Sequence, residues 1–137
     1  MATQDELKRI AAAKAVEFVP ENEYIGIGTG STINFFIEAL GKSGKKIKGA
    51  VSTSKKSSEL LAKYEIPEVS LNEVMGLAVY VDGADEVNHA LQMIKGGGGA
   101  HLNEKIVASA SDKFVCIADE SKYVSRLGKF PLPVEVV

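Results

Sequence analysis

Apolar residues along this chain switch repeatedly between two spacings. Leu7, Ile10, Ala11, Ala15 and Phe18 recur at helical intervals, and Thr3 with Glu6 in "TQDE" forms a candidate capping box at the start of that helix. Ile33, Phe36, Ile37 and Leu40 sit at i, i+3, i+4 and i+7 and predict a second amphipathic helix. The stretch 55–64 reads as a third helix, with Leu60 and Leu61 on its core side, and "LNEKIVASA" (102–110) as a fourth. Between them lie short apolar runs: "YIGI" (24–27), "IKGAV" (47–51), "LAVYV" (77–81) and "KFVCIA" (113–118). "LAVYV" is apolar throughout, as a strand covered on both faces should be. Strands alternating with helices predict an α/β fold, a Rossmann-like open and mostly parallel sheet with helices on both faces.

Such a sheet binds ligands beyond the carboxyl ends of its strands. The four strands are followed by "GTGST", "STS", "DGAD" and "DESK". Parallel pairing would gather all four loops on one edge. Within "GIGTGST" (26–32), glycines let backbone N–H groups approach an anion, and the following helix start adds a positive dipole end. Ser31 and Thr32 contribute hydroxyls, so a phosphate is the expected guest; a tight turn with a capping serine suits the same letters. The motif is neither a nucleotide P-loop, lacking the Lys-Ser/Thr pair, nor a dinucleotide fingerprint, since the spacing is G-x-G-x-G.

"DGAD" places Asp82 and Asp85 after a buried strand, where paired carboxylates bind hydroxyls, move protons or hold a metal. The spacing does not fit a calcium loop and the histidines form no ligand pair, so no metal is expected. Glu86 reads as an ordinary solvated loop residue. In "KGGGG" (95–99), Lys95 would set a positive charge beside glycine amides that crowd a ligand, although four glycines also suit a flexible linker. Glu104 points about 200° from Leu102 and roughly opposite Ile106, off the apolar face and in the first helical turn. There it either favours the helix dipole or serves as a base. A carboxylate base, a lysine, two aspartates and an anion cradle suit a small phosphorylated polyol. Proton transfer next to a carbonyl needs a base at the C–H bond and donors where the oxyanion develops, and no cofactor.

Composition narrows the class. The chain has 137 residues, which predicts a single domain over 1–137. It is 45% hydrophobic and 25% charged, ordinary for a globular protein. Sixteen basic and eighteen acidic residues give a formal charge of −2, without the basic footprint of a nucleic-acid binder. The one cysteine, Cys116, has no internal disulfide partner, which favours a reducing compartment, and its apolar setting predicts an inert buried thiol. The N-terminus lacks a signal-peptide pattern, and no apolar run approaches the ~20 residues of a membrane helix.

"GIGTGST", "VDGADE", "MIKGGGGA", "EKI" and "LGKFPLPVEV", in that order, resemble the type A ribose-5-phosphate isomerase family over essentially the whole chain. The resemblance implies interconversion of ribose 5-phosphate and ribulose 5-phosphate through an enediol, in the pentose phosphate pathway of the cytoplasm. It implies that Glu104 shuttles the proton, while Lys95 with Gly96, Gly97 and Gly98 stabilises developing charge. Asp82 and Asp85, with Gly83 and Ala84 between them, would hold substrate hydroxyls, one aspartate assisting ring opening. Thr29, Gly30, Ser31 and Thr32 would form a substrate loop, with Lys122 reaching the sugar and Lys8 the phosphate. No metal or cofactor is implied, nor any nucleic-acid or membrane partner. A homodimer is expected of the full-length protein. Family members continue past "PLPVEVV", where an apolar β-branched run reads as the start of a strand, so the chain reads as an N-terminal portion with apolar surface left exposed. Two other readings remain open. One is a related sugar-phosphate deaminase or coenzyme A transferase. The other is a non-catalytic sugar-phosphate-binding domain like a repressor's effector module.

Overall fold

The computed structural model describes residues 3–136. These residues form four α-helices: α1 (Gln4–Val16), α2 (Ser31–Ser43), α3 (Lys55–Lys63) and α4 (His101–Ser109). The strands are β1 (Tyr24–Ile27), β2 (Gly49–Ser52), β3 (Val79–Gly83), β4 (Glu86–Val87), β5 (Met93–Ile94) and β6 (Phe114–Ile117). The main sheet has the order β2-β1-β3-β6 and every pairing in it is parallel. β4 and β5 form a separate antiparallel ribbon. The chain leaves β1 toward β2 on one side and then crosses to β3 on the other. The carboxyl ends of β1 and β3 therefore flank a topological switch point, the place where open α/β sheets bind ligands.

Strand alternation divides the core. Ile25, Ile27, Val79 and Val81 face one way and pack with Phe36, Ile37 and Leu40 of α2 and Leu61 of α3. Tyr80 faces the other way and packs with Val51, Leu77 and Val107 of α4. Helices thus cover both faces, as the pattern predicts, three on one side and one on the other.

The Thr3–Glu6 capping box forms, with Glu6 N–H donating to Thr3 Oγ1 at 3.1 Å and Thr3 N–H to Glu6 Oε2 at 3.2 Å. The inward stripe of α1 differs from the predicted one. Ile10 and Phe18 are 65% and 53% exposed, and the buried residues are Ala12, Ala15, Val16 and Val19. The small side chains of Ala12 and Ala15 let α1 lie close against α2. The rotated stripe also carries Lys8 inward, and its Nζ donates to Ser31 Oγ at 2.9 Å. The C-terminal apolar run is not a strand: residues 131–136 carry no regular structure, and Leu132, Val134 and Val136 are exposed. Pro131 and Pro133 supply no N–H to a ladder. Val137, at the end of that expectation, lies outside the described residues.

Phe36 is fully buried whereas Phe18 is not, so the two truncations separate. Phe36→Ala should cost about 3–5 kcal/mol and Phe18→Ala about 0.5 kcal/mol or less, read from urea unfolding midpoints.

Candidate active site

The site starts from a row of residues on the α4 side of the sheet. Tyr80 and Asp82 alternate onto that face from β3. Beside them, β1 and its extension present Gly26 and Gly28, and the absence of side chains there is a packing requirement. A Cβ on Gly26 would lie 2.6 Å from Val107 Cγ1, and one on Gly28 would lie 2.0 Å from Asp82 Cγ. The first glycine admits α4 and the second admits the Asp82 carboxylate. The glycines of "GIGTG" therefore do more than expose backbone to an anion, and Gly28 belongs to the site although its letter alone did not single it out.

Asp82 is 1% exposed and is surrounded by donors. Its Oδ1 accepts from Gly83 N–H at 2.7 Å and Thr29 N–H at 3.2 Å. Its Oδ2 accepts from the Tyr80 hydroxyl and from Lys95 Nζ at 3.0 Å. Lys95 also donates to Gly83 O at 2.6 Å. Burial, followed by the Asp82 charge, pushes the Tyr80 hydroxyl far above its ordinary value, so it stays a donor. Tyr80 is a site residue that the pattern of "LAVYV" conceals; its one polar tip in an apolar run was the available signal.

Glu104 reverses the expectation for its helix. Leu102 and Ile106 are 42% and 46% exposed, whereas Glu104 is 6% exposed and points inward with Val107. Its Oε1 has no hydrogen-bond partner among the described residues, and Lys95 Nζ lies 4.0 Å away. Burial pushes the Glu104 pKa up to about 7; the Asp82 charge adds to the rise, and Lys95 opposes it. The helix dipole does not prevail over desolvation here. Between the ordinary 4.5 and about 7 the folded state binds the extra proton. The stability Glu104 contributes is thus full below that window and lost as pH rises through it.

Around this centre the loops converge. Asp85 Oδ2 accepts from Gly97 N–H at 2.8 Å, which ties the second aspartate to the glycine segment. Thr29 Oγ1 pairs with Thr53 Oγ1 at 2.8 Å, and Thr53 donates to Ile27 O at 3.1 Å, so "STS" braces the β1–α2 loop. α2 has Gly30 as its N-cap without a side-chain cap, and Lys8 reaches Ser31 at its first residue. Lys122 ends a short 3₁₀ turn whose N-cap, Asp119, accepts from Ser121 N–H at 2.9 Å. Thr29, Gly30, Ser31, Thr32, Gly83, Ala84, Lys122 and Lys8 all line one cleft of about 140 Å³ with Asp82, Asp85, Lys95, Gly96, Gly97, Gly98 and Glu104. Among the described residues, no three His, Cys, Asp or Glu side chains gather in a way that could hold a metal. Glu86 is not solvated: it is 4% exposed and accepts two backbone N–H groups. Cys116 is half-buried, and burial raises its thiol pKa, in keeping with an unreactive side chain.

Two measurements test this electrostatic arrangement. A carbon-detected NMR titration should place the Glu104 midpoint near 7; a value near the ~4.3 of a free glutamate would overturn it. Asp82→Asn should lower that midpoint and Lys95→Gln should raise it. Gly28→Ala should unfold the protein or displace Asp82, because a Cβ there would lie 2.0 Å from the Asp82 Cγ and the carboxylate would have to move.

Comparison with known proteins identifies the family. A family model described as ribose 5-phosphate isomerase A (phosphoriboisomerase A) matches residues 49–137. A curated protein from Neisseria meningitidis named ribose-5-phosphate isomerase A is 94% identical over all 137 residues. The chain spans 61% of that relative's length. A crystal structure of ribose 5-phosphate isomerase A from Neisseria gonorrhoeae superposes with a TM-score of 0.95 at 93% identity, over 96% of this chain and 59% of that one. A D-ribose-5-phosphate isomerase solved in complex with phospho-erythronic acid superposes with a TM-score of 0.87 at 40% identity, over 92% of this chain and 57% of that one. The chain belongs to the ribose 5-phosphate isomerase A family.

Proposed function

We propose that this chain carries the substrate-binding and catalytic residues of an aldose–ketose isomerase that interconverts D-ribose 5-phosphate and D-ribulose 5-phosphate. The observation that carries the reading is Glu104: a buried carboxylate with an oxygen unpartnered among the described residues and a pKa of about 7, next to a lysine and opposite an uncapped helix start. Phospho-erythronic acid, with which one relative was solved, is an acid analogue of a phosphorylated sugar and suits the same ligand class.

The chemistry then divides among the residues. The N-terminus of α2, Ser31 and Lys8 receive the phosphate. Opening the furanose moves a proton from the anomeric hydroxyl to the ring oxygen. Asp85, the more exposed of the two aspartates, is the carboxylate placed for that relay. Glu104 removes the proton from C2 of the open aldose and returns it to C1. Lys95 and the glycine amides stabilise charge on the enediolate oxygens in between. A base with a pKa near the working pH holds the right protonation state for both halves. Asp82 orients Lys95 and Thr29 around the substrate.

For the whole protein we propose a homodimer acting in the cytoplasm in the pentose phosphate pathway, with no nucleic-acid or membrane partner. No described helix is long and apolar enough to cross a membrane. We further propose that residues 1–137 form a single α/β unit.

Turnover of ribose 5-phosphate should be measurable and should rise with pH through the Glu104 titration. Glu104→Gln should keep the circular-dichroism spectrum and lose about 10²–10⁴-fold in kcat. Near-normal kcat in that variant removes Glu104 as the base. Binding of ribose 5-phosphate without conversion by the parent chain favours a sugar-phosphate sensor instead.

A further inference from the structure

Glu86 takes no part in the chemistry above, yet it is a carboxylate only 4% exposed. Its Oε1 accepts from Gly128 N–H at 3.0 Å and its Oε2 from Phe130 N–H at 3.1 Å, residues 42 and 44 positions further on. The next residue of β4 holds the same segment nearer its beginning, since Val87 O accepts from Val124 N–H at 2.8 Å. The stretch from Lys122 to Phe130 is therefore fastened to β4 at two points. Phe130 in turn walls the glycine segment. A Cβ on Gly97 would lie 2.8 Å from the Phe130 ring on one side and 2.8 Å from the Asp85 oxygens on the other. Asp85 and Glu86 are adjacent in sequence but hold different partners. One grips Gly97 directly, and the other grips the segment that presses on it.

We propose that Glu86 is a positioning residue, acting through Phe130 to fix the Gly96–Gly98 amides at the cleft. This deepens the isomerase reading and rests on it for its kinetic consequence. The clamp needs two acceptors. Glutamine offers one carbonyl oxygen and an NH₂ that faces an N–H, so one backbone donor is stranded. Freed amides would stabilise the enediolate less well, while Glu104 and Lys95 stay where they are.

The test compares Glu86→Gln, Phe130→Ala and the double variant with the parent chain. Each single variant should lower kcat for ribose 5-phosphate about tenfold, the size of losing one hydrogen bond to a charged group, with KM within about threefold and the pH midpoint of kcat unchanged. The double variant should be no worse than the poorer single one, as for residues acting in series. Hydrogen exchange without substrate should show the Gly97 amide opening faster in both. Unchanged Gly97 exchange, or additive kcat effects, overturns the clamp. Faster exchange with unchanged kcat overturns its role in positioning the amides. If Glu86→Gln does not fold, Phe130→Ala alone gives the same readouts. A parent chain that fails to convert ribose 5-phosphate removes the isomerase reading, while Gly97 exchange still decides the clamp.

Discussion

One buried carboxylate organises this molecule. Asp82 sits at the switch point of the sheet, almost wholly out of water, and collects two backbone N–H groups, a phenol and an ammonium. An unpaired carboxylate there would be prohibitively costly to bury. Each donor therefore has to be in place, and the donors come from three pieces of chain. Thr29 fixes the β1–α2 loop, Tyr80 and Gly83 belong to β3 on either side of Asp82, and Lys95 fixes the start of the glycine segment. Satisfying one charge thus assembles three of the loops that line the cleft. Gly28 makes this possible by leaving the carboxylate its space.

The same arrangement sets the character of Glu104. One lysine serves two acids, and it lies 3.0 Å from Asp82 but 4.0 Å from Glu104. Asp82 takes the hydrogen bond and leaves Glu104 desolvated, beside a negative charge, with a weaker share of the cation. Two carboxylates in one site thereby acquire different work. One is held by donors on every side and serves as structure. The other has a pKa moved close to neutrality and an oxygen without a partner among the described residues. Separating titratable groups by environment in this way marks sites of acid–base chemistry.

The alternation of elements was legible in the chain: four short apolar runs, each followed by a polar loop, and all four parallel in the sheet. Residues of "GTGST", "DGAD" and "DESK" share one cleft because parallel strands bring their carboxyl ends together, and the antiparallel β4–β5 ribbon delivers those of "KGGGG". Periodicity failed where a partner decided the outcome. It put Glu104 outside because Leu102 and Ile106 are apolar, but the face of α4 that meets the sheet is the one carrying Glu104 and Val107. It put Ile10 inside because spacing alone cannot register which side of α1 meets α2, and that side carries Ala12, Ala15 and Val16. Glu86 looked like one more loop acid since its two donors lie more than 40 residues away. Tyr80 counted as apolar, and its hydroxyl became informative only once Asp82 was seen beside it.

Burying the base has a structural precondition that lies away from the chemistry. α4 can bring Glu104 over Asp82 and Lys95 only if the helix approaches the sheet closely, and Val107 is the contact that sets the distance. Val107 packs on Tyr80 and would collide with any side chain at Gly26. The absence of a Cβ at Gly26 therefore governs how dry Glu104 becomes, and through that its proton affinity. Moving α4 outward by the width of a methyl group would let water reach the carboxylate, and its pKa would fall toward that of an ordinary glutamate. The acid–base behaviour of the cleft is in this sense a property of helix–sheet packing, set one helical turn from the group that titrates.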